Sequence, residues 1–456
     1  MRIIIVGCGK IGLSLAESLN REGHDIVIID TNADVVNDAA SKLDIMGING
    51  NGVIHDVQID AGVREADILI ATTGSDEINM LCCMIAKEEG GNLHTIARIR
   101  DPEYDMDVKY IRERLNIGHI INPEKMTALE IIRLLNFPSA IEIDTFAHGM
   151  VDMIKMKLPE TSPLCGHMLK DLPKLSKVQV LICVIERGGQ VIIPDGDTFL
   201  LKNDMISIIA RPQDAVQFSR ENQLEYARAR SVMVVGGGRI SYYVVQLFRR
   251  RHSKIDLKII EKDEDRAVFL SDEFTETTVI NGDGSDHRFL LEEGIESHDA
   301  FVALTNIDEE NVIMSMLASR IDGLRLITKV NHLQLEDLNN IEIPIGSVVN
   351  PKKITSEEVV RYVRSFERSI GSNMESLYMV ADDRVEACEF LVQNDSRIVD
   401  IELQNLQLKK NVLVAAIVRN NTVISPHGSD VMKVNDRVVI ITTNSGLHDL
   451  QDVLAR

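Results

Sequence analysis

Short apolar runs alternate with helical patterns from the first residues onward. RIIIVG and HDIVIID are continuous apolar segments bounded by Gly and Asp, and Leu13, Ala16 and Leu19 recur at helical spacing between them, which predicts a βαβ unit. ADILIATT and HTIARIR predict further strands of the same parallel sheet. From Ser231 the pattern begins again, with SVMVVG, DLKIIE, DAFVALT and RLITKV in the corresponding places. After each sheet region the period changes. VQVLICVIERGGQVII predicts a hairpin turning at Arg187-Gly188-Gly189, and VLVAAIVRNNTVIS predicts its counterpart turning at Arg419-Asn420-Asn421. Gly and Asn tolerate the positive φ that a tight hairpin needs, so the exchange between copies is physically consistent. Each hairpin is followed by a Pro-x-Gly turn, an Asp (Asp204, Asp436) and an apolar strand, MISIIA or VVIIT.

The chain therefore matches itself at a displacement of about 230 residues, a period that must be found before the fold can be read. Gly7-Cys8-Gly9-Lys10-Ile11-Gly12 corresponds to Gly236-Gly237-Gly238-Arg239-Ile240-Ser241, and Asn49-Gly50-Asn51-Gly52 to Asn281-Gly282-Asp283-Gly284. INPEKMTALEIIR answers VNPKKITSEEVVR, and Pro194-Asp195-Gly196 answers Pro426-His427-Gly428. The expected fold class is α/β: two tandem copies of a Rossmann-like, doubly wound parallel sheet, each followed by a small β-rich α+β domain. The expected boundaries are 1–140, 141–228, 229–366 and 367–456. Each sheet ends in a helix with a start signal, because Asn122 or Asn350 can cap it and Pro123 or Pro351 takes the first helical position, where a missing N–H costs nothing. Such a helix links the sheet to the small domain after it or swaps to a partner; the sequence leaves both open.

The glycine loop directly follows the first strand and opens the first helix, the context in which G-x-G-x-x-G has a mechanism. Gly7 permits the turn, Gly9 bares the backbone to a pyrophosphate, and Gly12 lets helix pack on strand, with Cys8, Lys10 and Ile11 completing the loop. Asp30 closes the second strand, where a carboxylate accepts from ribose hydroxyls, and Thr31 and Asn32 supply no Arg for a 2′-phosphate. NAD or NADH is thus expected in preference to NADP. In the second copy Gly236, Gly237, Gly238, Arg239 and Ile240 form the loop, and Glu261 stands where the ribose acceptor belongs. Ser241 replaces the third glycine and is expected to hold the helix further from the strand. An adenine nucleotide, ATP or ADP, is the alternative ligand in one of the two copies, and for this second copy the choice between it and NAD stays open. Ligands in such sheets lie at the carboxyl ends of the strands, which adds Asn51, Gly52, Thr73, Gly74 and Arg98 in the first copy and Thr305 in the second, with Lys329 near the place of Arg98.

Composition narrows the function classes. A net charge of -21 over 456 residues disfavours direct binding to nucleic acid or anionic lipid. No apolar run approaches the roughly 20 residues that span a bilayer, so any pore must belong to a partner. The start lacks the h-region and cleavage site of a signal peptide and is expected to be a strand. The six cysteines (Cys8, Cys82, Cys83, Cys165, Cys183, Cys388) and twelve histidines show no metal-type spacing, so reduced thiols and no metal are expected.

With GCGKIG and Asp30, TTGSDEINML, ARIRDPEY, the INPE helix and two small C-terminal modules in this order, the whole chain resembles the TrkA-type RCK (regulator of potassium conductance) family, peripheral NAD-binding subunits of bacterial Trk potassium uptake systems. The resemblance implies a cytoplasmic protein on the inner face of the membrane, docked on a potassium-transporting subunit. It further implies a homo-oligomeric ring, a tetramer with eight RCK-type units, whose conformation is biased by nucleotides. The competing class is an NAD-dependent oxidoreductase. That class needs a proton donor or acceptor in a substrate domain, and the two matching β modules offer no such constellation. A DNA-binding repressor would need a basic face and a helix-turn-helix, neither of which the sequence shows.

Overall fold

In a computed structural model the described residues are 1–91, 93–105, 107–136, 140–224, 229–250, 255–331, 344–369, 373–381, 384–393, 397–444, 447 and 449–455. The boundary expected at 228 falls at 225–228, outside the described residues. The chain forms two compact units from alternating segments: Met1–Leu135 with Ala229–Val360, and Asn136–Arg228 with Arg361–Arg456.

The first unit holds two six-stranded parallel sheets. Strands β1 (Arg2–Val6), β2 (Asp25–Asp30), β3 (Met46–Asn49), β4 (Ile68–Ala71), β5 (His94–Arg98) and β6 (His119–Ile121) lie in the order β3-β2-β1-β4-β5-β6. The order reverses between β1 and β4, which opens a crevice beyond the ends of those strands. The small domain after this sheet contributes β7 (Ala140–Phe146), β8 (Val151–Lys157), β9 (Leu181–Arg187), β10 (Gln190–Ile192) and β11 (Met205–Ala210). The second sheet repeats the first: β12 (Ser231–Val235), β13 (Asp256–Glu261), β14 (Thr278–Asn281), β15 (Ala300–Ala303), β16 (Arg325–Lys329) and β17 (Ser347–Val349), ordered β14-β13-β12-β15-β16-β17. The last module adds β18 (Met374–Val380), β19 (Val385–Leu391), β20 (Val412–Arg419), β21 (Thr422–Ile424) and β22 (Arg437–Thr442).

The linker helices resolve the choice the sequence left open. Helix Pro123–Asn136 begins with Asn122 Oδ1 accepting the Lys125 N–H at 2.9 Å, the cap expected of it. Its apolar stripe, Ala128, Ile131, Ile132 and Leu135, is buried not on its own sheet but in the core of the second copy, with Val232, Val234, Tyr243 and Val302. Helix Pro351–Ser369 is capped by Asn350 in the same way and reaches the other direction, where the Ser356 hydroxyl meets that of Ser14 at 2.8 Å. The exchange is therefore made between copies of one chain. Polar contacts fix it: the Tyr243 hydroxyl donates to the Arg100 carbonyl at 2.9 Å and accepts from the Asn122 amide, while the buried Asp105 carboxylate bridges Lys125 and Arg250.

The second unit pairs the two small modules. Their sheets, β10-β9-β11-β8-β7 and β18-β19-β22-β20-β21, share one topology, and Phe146, Val151, Val184 and Ile209 pack with Val385, Ala387, Val418 and Val439 in a common core. The hairpin turns have positive φ at Gly188, Gly189, Asn420 and Asn421, as expected. Asp204 and Asp436 are buried and each receives a two-pronged Arg, Arg187 and Arg419, at 2.7–2.8 Å.

Candidate functional site

Beyond β1 the chain turns at Gly7 with φ +92°, where an added Cβ would stand 2.8 Å from the Thr73 nitrogen. Gly12 is as constrained, since its Cβ would lie 1.9 Å from the Gly7 oxygen. Gly9 differs from both. A Cβ there would meet nothing within 4 Å, so nothing in the protein's own packing demands glycine; what the residue provides is bare backbone facing the cavity. Helix Lys10–Arg21 starts here without a side-chain cap, leaving its first N–H groups directed toward that space. Asp30 lies beside the loop: one oxygen accepts the Cys8 N–H at 2.6 Å and the other the Asn32 N–H at 2.9 Å. The Cys8 side chain points into the core, and burial together with Asp30 pushes its thiol up to about 12.

At the end of β4, Thr73 is held by a residue that the glycine-loop motif does not single out. Asn79 Oδ1 accepts both the Thr73 N–H and hydroxyl at 2.7 Å, and its amide donates to the Arg98 carbonyl at 2.8 Å, tying β4 to β5. The Arg98 guanidinium donates to the Thr73 carbonyl, its Nε is buried without a hydrogen-bond partner, and burial holds it below the usual arginine value. Asn51 and Gly52 line the same space. Gly52 also has a packing reason, because its Cβ would lie 2.2 Å from Val6.

The second loop is built much like the first. Gly236 has φ +102°, Gly238 is open like Gly9, and Glu261 accepts the Gly237 N–H at 2.5 Å and the Asp263 N–H at 2.8 Å, as Asp30 does for its loop. Asn311 repeats Asn79: it accepts from Thr305 N–H and hydroxyl at 2.9 and 2.8 Å and donates to the Lys329 carbonyl at 3.0 Å. The buried Lys329 Nζ reaches the Leu304 carbonyl at 3.3 Å, one residue before the position equivalent to Thr73, whose carbonyl Arg98 contacts. Ser241 is accommodated by an exchange of partners. In the first copy the Thr72 hydroxyl donates to the Gly7 carbonyl at 2.9 Å; in the second, Leu304 stands in place of Thr72 and the Ser241 hydroxyl donates to the Gly236 carbonyl. The hydrogen bond survives although the glycine does not, and the Ser241 Cβ requires a wider helix-to-loop spacing than Gly12 allows. Arg266 has no cationic counterpart in the first copy; its Nε donates to the Gly237 carbonyl at 2.7 Å and its guanidinium lies over the Phe269 ring.

Both loops open into one cavity of about 1130 Å³. Of the residues expected at the site, Gly7, Gly9, Lys10, Ile11, Asp30, Asn51, Gly52, Thr73, Gly74, Arg98, Gly238, Arg239 and Ile240 line it. Cys8, Gly12, Gly236, Gly237, Glu261 and Thr305 do not; they shape the loops from behind. Lys10, Arg98, Arg239, Arg266, Lys329 and Lys352 bring positive charge to the lining against the carboxylates Asp30 and Glu124, in a chain whose net charge is -21. Glu124 and Lys352 come from the first turns of the two linker helices and were not foreseen, although the sequence aligned them in INPEK and VNPKK. Among the described residues no group of His, Cys, Asp and Glu is arranged to hold a metal ion, and no helix is long and apolar enough to cross a membrane.

Comparison with known proteins agrees with this duplicated architecture. The TrkA-N domain matches residues 3–123 and 232–351, and the TrkA-C domain matches 153–222 and 388–455. The Trk system potassium uptake protein TrkA of Vibrio alginolyticus is 32% identical over 447 residues, covering 97% of this chain and 96% of the relative. A TrkA homolog of Archaeoglobus fulgidus is 31% identical, covering 99% of this chain and 100% of its own. Among solved structures, the GsuK RCK domain superposes with a TM-score of 0.62 at 15% identity, covering 98% of this chain and 93% of that one, which is a likeness of fold. The relatives are named for potassium uptake rather than for a reaction. With both domain types matched twice and in order, and relatives alike from end to end, the chain belongs to the TrkA family of Trk system potassium uptake proteins.

Proposed function

We propose that this chain is the nucleotide-sensing regulatory subunit of a potassium uptake system, held at the cytoplasmic face of the membrane against the subunit that carries the pore. The observation that carries this is the shared cavity: two loops, bare at Gly9 and Gly238, open onto one cation-lined space in an otherwise acidic protein. These residues fit a nucleotide. Backbone N–H groups at the two helix starts, with Lys10, Arg98 and Arg239, would hold phosphates, and Asp30, which lines the cavity, would accept from ribose hydroxyls. NAD or NADH is the ligand of the first loop, and ATP or ADP is taken by one of the two copies. When bound, the nucleotide supplies charge and shape rather than a reaction. It favours one arrangement of the assembly, a ring of four chains with eight RCK-type units, to the extent that it binds that arrangement more tightly. The units follow the boundaries 1–140, 141–228, 229–366 and 367–456.

The test is potassium uptake into liposomes that carry the membrane subunit of the same system, with nucleotide varied. Uptake should respond to nucleotide with the wild-type chain and lose that response with Gly9→Val/Gly238→Val, whose added side chains meet open space in the protein but block a phosphate. By linkage, the membrane subunit should change nucleotide affinity by the factor by which nucleotide changes opening. Unaltered regulation by a double variant that titration shows to bind no nucleotide would overturn the proposal.

A further inference from the structure

The two loops do not open onto separate clefts. Gly9 and Lys10 of the first and Gly238 and Arg239 of the second line one cavity of about 1130 Å³. A pocket for a single ligand reaches about 1,000 Å³, so nucleotides seated on both loops must lie close to each other. The charges of this space also come from both copies. Two cations of the first copy and four of the second face it against the carboxylates Asp30 and Glu124, an excess of four positive charges. Hydrogen bonds hold the two halves of the lining together. Helix Arg239–Arg250, which begins at the second loop, places the Tyr243 hydroxyl on the Arg100 carbonyl at 2.9 Å, two residues beyond Arg98. The Arg100 guanidinium donates in turn to the carbonyl of Gly74, which lines the cavity on the side of the first copy. Burial and then Arg100 hold the Arg98 guanidinium below the usual arginine value, and Arg239 of the other copy adds to that.

Resting on the nucleotide reading of this cavity, we propose that the two loops are antagonistic: a nucleotide on either loop lowers the affinity of the other, so ligands on different loops exclude each other without sharing a site. The sign follows from the charges. The excess of cations attracts the first polyanion to either loop. Once bound, that ligand has neutralised much of the excess, and its phosphates repel those of a second ligand in the same space. The Tyr243–Arg100–Gly74 contacts oppose a widening of the cavity that would relieve the repulsion. The second loop to fill therefore needs a higher nucleotide concentration than it would need alone, and below that concentration each cavity holds one nucleotide. NADH on the first loop disfavours ADP or ATP on the second, and by linkage the adenine nucleotide weakens NADH by the same factor. The chain thereby weighs two nucleotide pools against each other.

The test is calorimetric titration of the full chain with ADP in metal-free buffer, beside Gly238→Val, which leaves the first loop, and Gly9→Val, which leaves the second. The wild type should bind in two steps, the second about tenfold weaker than the weaker single-loop protein, the scale for phosphate charges about 10 Å apart in a partly screened site. Raising KCl from about 0.1 to about 1 M shortens the Debye length from about 10 to about 3 Å and should narrow that gap to less than about threefold. The gap should widen from AMP to ADP to ATP. Where a valine disturbs the neighbouring loop, the wild type alone decides, because the spacing of its own two steps must shrink with salt and grow with ligand charge. A wild-type isotherm equal to the sum of the two single-loop isotherms, a strengthened second step, or a spacing indifferent to salt would overturn the antagonism while leaving the nucleotide reading in place. A wild type that binds none of AMP, ADP, ATP and NADH would overturn both.

Discussion

Removing the Asp30 carboxylate tests whether the first loop binds a ribose. Its two oxygens already accept the Cys8 and Asn32 N–H groups at 2.6 and 2.9 Å, so Asp30→Ala removes a loop anchor as well as a ligand group. Leaving the Cys8 N–H without its acceptor should cost about 1–2 kcal/mol of stability, and the unpaired ribose hydroxyls should cost NADH about 1–3 kcal/mol of affinity, or roughly 5- to 150-fold. Asp30→Asn separates the two effects. Its amide oxygen can still accept from Cys8, but its NH₂ then faces the Asn32 N–H and has no charge to offer the ribose. The Asn variant should therefore keep most of the stability and lose most of the affinity. Both are measured on the Gly238→Val background, with affinity from calorimetric titration of NADH and stability from urea unfolding. Equal NADH affinity for Asp30→Ala and its parent would refute the ribose assignment. An equally stable Asp30→Ala would refute the anchoring role.

Other outcomes rest on the geometry around the loops and between the copies. Asn79→Ala should destabilise the first sheet by about 1–3 kcal/mol, because it leaves the Thr73 N–H and the Arg98 carbonyl unpaired; urea unfolding measures it. Tyr243→Phe should cost about 1–2 kcal/mol in the same assay, since a fully buried hydroxyl joins the Arg100 carbonyl to the Asn122 amide across the two copies. Ser241→Gly and Leu304→Thr should be coupled by about 1 kcal/mol in a double-mutant cycle, the pair together rebuilding the Gly12–Thr72 arrangement. Burial lowers His94 and His119 to about 4, with Lys87 and the charge of His119 acting on His94, and with Glu358 and Arg112 acting on His119. Their folded values lie below the ordinary 6.5, so the stability they contribute is present above pH 6.5 and is lost as pH falls toward 4. Unfolding by urea across that range should show a decline that His94→Gln/His119→Gln makes shallower.

How much was legible in the sequence varies with how local the cause is. β1, β2, β4 and β5, and their counterparts β12, β15 and β16, are runs of four to six residues buried for the most part, and β13 keeps a buried Leu257, Ile259 and Ile260; their apolar runs announced them. β3 (MGIN) and β14 (TVIN) are short, half-exposed edge strands whose composition carries no such signal; only pairing to β2 and β13 makes them strands. β8 mixes charged residues into VDMIKMK, where Lys155 pairs with Glu186 and Lys157 is exposed, so no continuous apolar run marked it. At the site the glycines, Asp30 and Glu261 were legible because a known mechanism assigns each a place. Asn79 and Asn311 were not, although they recur in TTGSDEINML and TNIDEENVIM. Their role depends on the distance between neighbouring strand ends, which the sequence does not state.

The linker helices lie at the far end of that scale, and they show what duplication within one chain permits. The stripe Ala128, Ile131, Ile132, Leu135 announces a buried face but cannot say which sheet buries it, because both copies offer the same kind of surface. In a symmetric pair of separate chains, each linker helix would deliver the same residue to its partner's loop, and the two sites would be identical. Joining the copies removes that requirement. Glu124 and Lys352 can then differ while Asn122 and Asn350 remain the same caps and Pro123 and Pro351 the same helix starts. The parts that build the crossing are kept in both copies, whereas the residues it carries into the cavity are free to diverge.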